Sequence, residues 1–124
     1  MMILEQKVGS HNIYLEVNEI GADLLISIHG GDEHHIGGVS IAYVTPSHYR
    51  DASTVSLSSL TFPGHKDYVV ANSVAEKICK TLERSTVVTV GIHYTNATKD
   101  DITDIVKAVD GLVDKFLSHY GKPE

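Results

Sequence analysis

Tryptophan is absent from the 124 residues, and cysteine occurs once, at Cys79. A single thiol excludes an intramolecular disulfide, and its place on the apolar side of an expected helix reads as a buried, inert packing group. Basic side chains are also few. Ten Lys and Arg stand against sixteen Asp and Glu, giving a net charge of −6 with histidine neutral. That balance argues against broad nucleic-acid binding, which needs a basic stripe, but leaves room for an anion held locally by a few cations and backbone N–H groups. No apolar run reaches the length of a membrane span, and Met1–Gln6 has neither the basic nor the apolar region of a secretory signal. The cytoplasm is therefore the expected location. What the chain has in unusual number is histidine, with eight residues.

An apolar fraction of 42% with 21% charged residues is ordinary for a globular protein. The length suits one hydrophobic core, so residues 1–124 are expected to form a single domain. The first half reads as strands. Met2–Val8 and His11–Asn18 flank Gly9-Ser10, a junction suited to a type II′ hairpin because glycine comes first. Ile13, Leu15 and Val17 alternate with polar neighbours, the period of a half-buried strand. Asp23–His29 is apolar on most of both faces and belongs near the sheet centre. Val39–Thr45 alternates again, Pro46 opens a polar loop to Ser53, and Thr54–Phe62 is a Ser- and Thr-rich strand. Its apolar phase switches between Leu57 and Leu60, which predicts a bulge.

The second half changes period. Val70, Val74, Ile78 and Leu82, with Ala71, Ala75 and Cys79 beside them, make one helical stripe between Lys66 and Arg84. Thr86–Tyr94 is a Val-rich strand. Thr98-Lys99-Asp100-Asp101 then starts a second helix, with Thr98 as cap and Ile102, Ile105, Val106, Val109, Leu112, Val113, Phe116 and Leu117 as its buried stripe; Gly121 and Pro123 end it. The order βββββαβα predicts an α/β chain of the α+β type. It is a two-layer sandwich, a mainly antiparallel sheet of about six strands with both helices on one face.

Three segments could carry chemistry. Gly30-Gly31-Asp32-Glu33-His34-His35-Ile36-Gly37-Gly38 combines four glycines, which let backbone N–H groups approach a ligand, with two imidazoles and two carboxylates. Pro63-Gly64-His65-Lys66-Asp67 leads into the first helix, whose free N–H groups together with Lys66 suit an anion. Gly91-Ile92-His93 lies near the end of the strand between the helices. Singly, each has a plainer reading as a turn, a helix start or a core histidine. The glycine run matches neither the dinucleotide fingerprint nor the phosphate loop. Together they sit at element ends, where sites on such sheets collect. His11, His48 and His119 read as surface residues, and Tyr14, Tyr43, Tyr68 and Tyr94 as packing groups.

The same segments carry a family resemblance. Asp23-Leu24-Leu25-Ile26 leading into Gly30-Gly31, then His35-Ile36-Gly37, His65-Lys66-Asp67 and Gly91-Ile92-His93, resembles the small D subunit of gallate decarboxylase, a family described as prenylated-flavin chaperones. The likeness runs from about Gly21 to about Val106. It implies a fold similar to the small proteasome-assembly chaperones and a homodimer. It also implies a non-catalytic role, in which the chain holds prenylated flavin mononucleotide, or flavin mononucleotide itself, between a flavin prenyltransferase and a UbiD-type decarboxylase. Carried over residue by residue, it puts His35, His65, Lys66 and His93 at the cofactor, with Gly30, Gly31 and Gly37 shaping the site; Asp32 and His34, from the glycine-rich segment itself, join them as candidate cofactor-binding residues. His34 stands where that pattern has proline, which leaves the division of roles between His34 and His35 open.

Two other readings compete. One is a metal-dependent enzyme in which His35, His65 and His93, with Asp32 or His34, bind zinc while Asp32 or Glu33 acts as base. No short metal motif supports that set. The other is a structural dimer or assembly factor whose open sheet face binds another protein. No nucleophile paired with a base is visible in the sequence.

Overall fold

A computed structural model describes residues 1–46, 53–62 and 67–120. Its elements follow the expected order: β1 (Met2–Val8), β2 (His11–Ile20), β3 (Asp23–Gly31), β4 (Gly38–Pro46), β5 (Ser53–Thr61), α1 (Asp67–Leu82), β6 (Thr86–His93) and α2 (Lys99–Tyr120). Gly9 and Gly21 each open a two-residue turn at positive φ, 63° and 62°. Val8 pairs with His11, and Ile20 with Asp23. A glycine takes that backbone region without the strain a side chain would add. These tight turns fix the register of the first three strands, so β1, β2 and β3 form an antiparallel meander.

The six strands lie in the order β1-β2-β3-β6-β4-β5. β6 is inserted between β3 and β4, parallel to the first and antiparallel to the second. The two innermost strands are thus β3 and β6. Both carry apolar side chains on the helix-covered face, and both fill their other face with residues such as Leu25, Val87 and Thr89 that are only part-exposed.

The core lies between one face of the sheet and the two helices. Ile13, Leu15, Val17, Leu24, Ile26, Ile28, Val88 and Val90 meet Ala71, Val74, Ala75, Ile78 and Cys79 of α1, and Val109, Leu112, Val113 and Phe116 of α2. Helix α1 covers β4, β5 and β6, whereas α2 covers β1 and β2. Burial of each large aliphatic side chain contributes about 1.5–3 kcal/mol. Within this layer the buried Ser40 hydroxyl donates to Asn72 Oδ1 at 2.5 Å, which ties α1 to β4 without leaving a polar atom unsatisfied. Helix α2 starts with a reciprocal cap: Asp101 N–H donates to Thr98 Oγ1, and Thr98 N–H donates to Asp101 Oδ2.

Two expectations need correction. β5 has no bulge, because its pairing with β4 is continuous from Gly38↔Thr61 to Pro46↔Ser53. Leu57 faces the helix side and Leu60 the open side, so the switch in apolar phase reflects an edge strand that is apolar on both faces. The α2 stripe is also shorter than its periodicity implies. Ile102 and Val106 are exposed, and the helix engages the sheet from about Ile105 onward. No described helix is long and apolar enough to cross a membrane.

Candidate functional site

Inserting β6 between β3 and β4 creates a topological problem. The chain leaving β3 must pass over the end of β6 to reach β4, and Asp32 to Gly37 is the segment that does so. Asp32 N–H donates to the His93 carbonyl at 2.7 Å, and Gly37 N–H donates to the Val90 carbonyl at 2.8 Å. The loop is therefore stitched to β6 at both ends. Its middle lies so close to the strand that a Cβ on Gly91 would fall on the His35 carbonyl oxygen. Gly31, at φ 88°, presses in the same way on the His93 carbonyl. Much of the glycine richness is a requirement of this crossing.

The crossing separates the two adjacent histidines. His35 turns towards α1, with its Nε2 4.0 Å from Asp67 Oδ2. Asp67 opens α1, and its other oxygen accepts the Ile92 N–H at 3.5 Å. Gly37 fits between them, since a Cβ there would meet both Asp67 and the His35 ring. Exposed apolar groups border this polar pair: Ile36 on the loop, and Phe62, whose N–H donates to the Gly37 carbonyl. Leu60, two residues before Phe62, is 70% exposed. His65 and Lys66, which the sequence places at the same helix start, lie outside the described residues, as do Pro63, Gly64 and His48.

His34 turns the other way, onto the open face of the sheet. Its Nδ1 lies 2.6 Å from Nδ1 of His29 on β3. The His29 Nε2 meets Glu16 Oε2 of β2 at 2.9 Å, and the Tyr14 ring stacks on His29 with centroids 5.7 Å apart. Tyr14 pairs directly with His29 across β2 and β3, which sets Glu16 diagonally opposite.

Asp32 anchors the start of the loop. Its Oδ1 is 2.5 Å from Nε2 of His11, and its Oδ2 accepts the Thr95 N–H at 2.5 Å. The Thr95 N–H, followed by the nearby His11 and His93 charges, holds the Asp32 carboxyl below its ordinary range. Tyr94 packs edge-on against His11 and donates its hydroxyl to the Val8 carbonyl. Burial, then the Asp32 charge, raises that phenol. His93 itself is exposed at the end of β6. Among the described residues, no three His, Cys, Asp or Glu side chains converge on one point as metal ligands. Cys79 is buried in the core and its thiol is pushed up by that burial. A groove of about 390 Å³ lies elsewhere, between the first hairpin and α2, lined by Lys7, Gly9, Asp104 and Lys107.

Sequence reading marked His34, His35 and Asp32 but missed their partners His29, Glu16 and His11. The signal was available in the Gly21-Ala22 turn. Pairing β2 with β3 about that turn puts Tyr14 opposite His29. Asp67 was visible in the helix-start segment but not singled out.

Fold and loop together define a two-layer α+β domain whose β3–β4 crossover gathers polar and apolar groups at one end of the sheet. The chain belongs to the family of prenylated flavin chaperone LpdD-like domains, whose model matches residues 7–121. It is 34% identical over 104 residues to Protein LpdD of Lactiplantibacillus plantarum, covering 80% of this chain and 70% of that one. A solved structure of a chaperone complex for yeast 20S proteasome assembly superposes with a TM-score of 0.49 at 10% identity, covering 90% of this chain and 96% of that one.

Proposed function

We propose that the chain binds prenylated flavin mononucleotide without turning it over, and carries it from a flavin prenyltransferase to a UbiD-type decarboxylase. Membership of the chaperone family supports the general role. The observation that carries the specific reading is the pairing, at the β3–β4 crossover, of an exposed apolar edge with a polar floor. Ile36 and Phe62 form the edge, and His35 with Asp67 forms the floor.

A prenylated flavin is a flat, largely apolar ring system with a phosphate at one end. Ile36 and Phe62 suit the ring. Lys66 and the start of α1 suit the phosphate, with His65 and His35 within the same segment pair. The Asp67 carboxylate disfavours an anion directly on its own oxygens, so the phosphate is assigned to Lys66. Asp32 and His93 support the loop from behind in this reading. The cytoplasm is the proposed setting and a homodimer the proposed assembly.

Anaerobic titration with reduced prenylated flavin mononucleotide, with plain flavin mononucleotide as control, tests the reading. Saturable binding that prefers the prenylated form is expected. His35→Ala and Lys66→Ala should each weaken it by roughly tenfold or more while circular dichroism stays unchanged. If neither flavin binds, the cofactor reading falls. Undiminished binding in both variants would relocate the site.

A further inference from the structure

β1 is one free edge of the sheet and β5 is the other. β1 runs for seven residues with no proline and no break in its pairing with β2. Natural edges are usually short, bulged or covered, because their unpaired N–H and C=O groups are a template for another strand. Val8 and His11 close a two-residue turn and so exchange both backbone hydrogen bonds. Counting back by twos, Gln6, Leu4 and Met2 bond to β2, whereas Ile3, Glu5 and Lys7 aim their N–H and C=O groups outward. The Gln6 side-chain amide donates to the Lys7 carbonyl at 3.3 Å and takes up part of that edge. Glu5 and Lys7 are exposed and lie in no ion pair among the described residues. β5 carries no charged side chain. The groove of about 390 Å³ runs along the β1 edge, with Gln6 and Val8 on its strand side and Ala108 and Gly111 on its helix side. Gly111 stands in the middle of α2, yet a Cβ there would meet nothing within 4 Å. Glycine weakens a helix interior relative to alanine, and nothing within the single chain requires it at this place.

We propose that a second copy of this chain lays its β1 antiparallel against this one, about a two-fold axis through Gln6, and joins the two six-stranded sheets into one. That register sets Glu5 opposite Lys7 of the second copy on the open face, and symmetry repeats the pair. On the helix face it sets Leu4 opposite Val8 of the second copy, beside the groove that α2 overhangs. An axis through Glu5 would place two glutamates face to face, and an axis through Leu4 would set Glu5 against Ile3. Charge therefore selects both the occupant and the register. The axis stands perpendicular to the sheet, so all the helices stay on one side, and Ala108 and Gly111 leave room where the two copies of α2 approach. This interface rests on the homodimer proposed above and does not depend on flavin binding.

The test is the oligomeric state of the chain by sedimentation equilibrium at neutral pH and low salt. The parent is expected to be a dimer. Glu5→Lys and Lys7→Glu each turn both symmetry-related attractions into repulsions, so each variant alone should self-associate roughly tenfold more weakly or worse. Mixed in equal amounts, the two variants should pair again, because every contact then joins opposite charges. Gln6→Cys lies on the axis, where a non-hydrogen-bonded pair brings the Cα atoms to about 4.5 Å, within disulfide range. It should oxidise to a covalent dimer and Ile3→Cys should not, with the buried Cys79 silent in both. A dimer that ignores both charge reversals, variants that stay apart when mixed, or a Gln6→Cys chain that does not cross-link would overturn this interface and leave the homodimer standing. A monomeric parent would overturn both.

Discussion

Gly91 has no room for a methyl group, because the His35 carbonyl already occupies that space. Gly91→Ala must therefore push the loop off β6. It is expected to destabilise the fold by about 1–3 kcal/mol in urea melts and, on the proposed function, to weaken flavin binding as well. Asp32 works at the same scale by charge. Its folded carboxyl lies below the ordinary value of 3.8. The stabilisation it gives is thus fully present above that pH, and is lost as the pH falls through the folded value. Asp32→Asn should be less stable than the parent at neutral pH, with the two converging as acid melts are followed below about pH 4. The marked histidines were legible in the sequence as chemistry but not as pairs. That His34 and His35 face opposite ways follows from where the loop crosses β6, and nothing local in Glu33-His34-His35-Ile36 states it.

At the scale of the elements, periodicity was a good guide wherever one face alone is buried. β2 and α1 behave as their patterns imply, with Ile13, Leu15, Val17, Val74 and Ile78 all inside. It misled in two places. Leu57 and Leu60 lie on opposite faces of an edge strand, and alternation cannot distinguish that from a bulge. Ile102 and Val106 continue the apolar stripe of α2 beyond the part that rests on the sheet. Helix α2 instead relies on its cap at that end. Thr98→Ala should cost about 1 kcal/mol in thermal or urea unfolding, because it leaves the Asp101 N–H without its acceptor. Its other end is held by Tyr120, whose hydroxyl donates to Glu19 at 2.7 Å while Arg84 contacts the same carboxylate at 3.2 Å. The Tyr120 hydroxyl, then Arg84, hold the Glu19 carboxyl low.

Over the whole molecule, α2 is the only described helix above β1 and β2, and Phe116 is its largest fully buried side chain. Phe116→Ala should therefore cost about 3–5 kcal/mol, read as a lowered denaturant midpoint. Element order and layer arrangement could be read from the sequence, but the strand order could not. Hairpins advertise themselves through turns such as Gly9-Ser10, whereas the pairing of Leu24 with Thr86 has no local signal. That remote pairing sets an order of events during synthesis. When the ribosome has made β1 to β5 and α1, the sheet still lacks its central strand, and the meander and the β4–β5 hairpin have no shared edge. Only when Thr86–His93 emerges can the two halves join and the Asp32–Gly37 segment find the carbonyls it rests on. The nascent chain should thus gain its compact form and its ordered crossover in one late step, and a chain released before Thr86 should have neither.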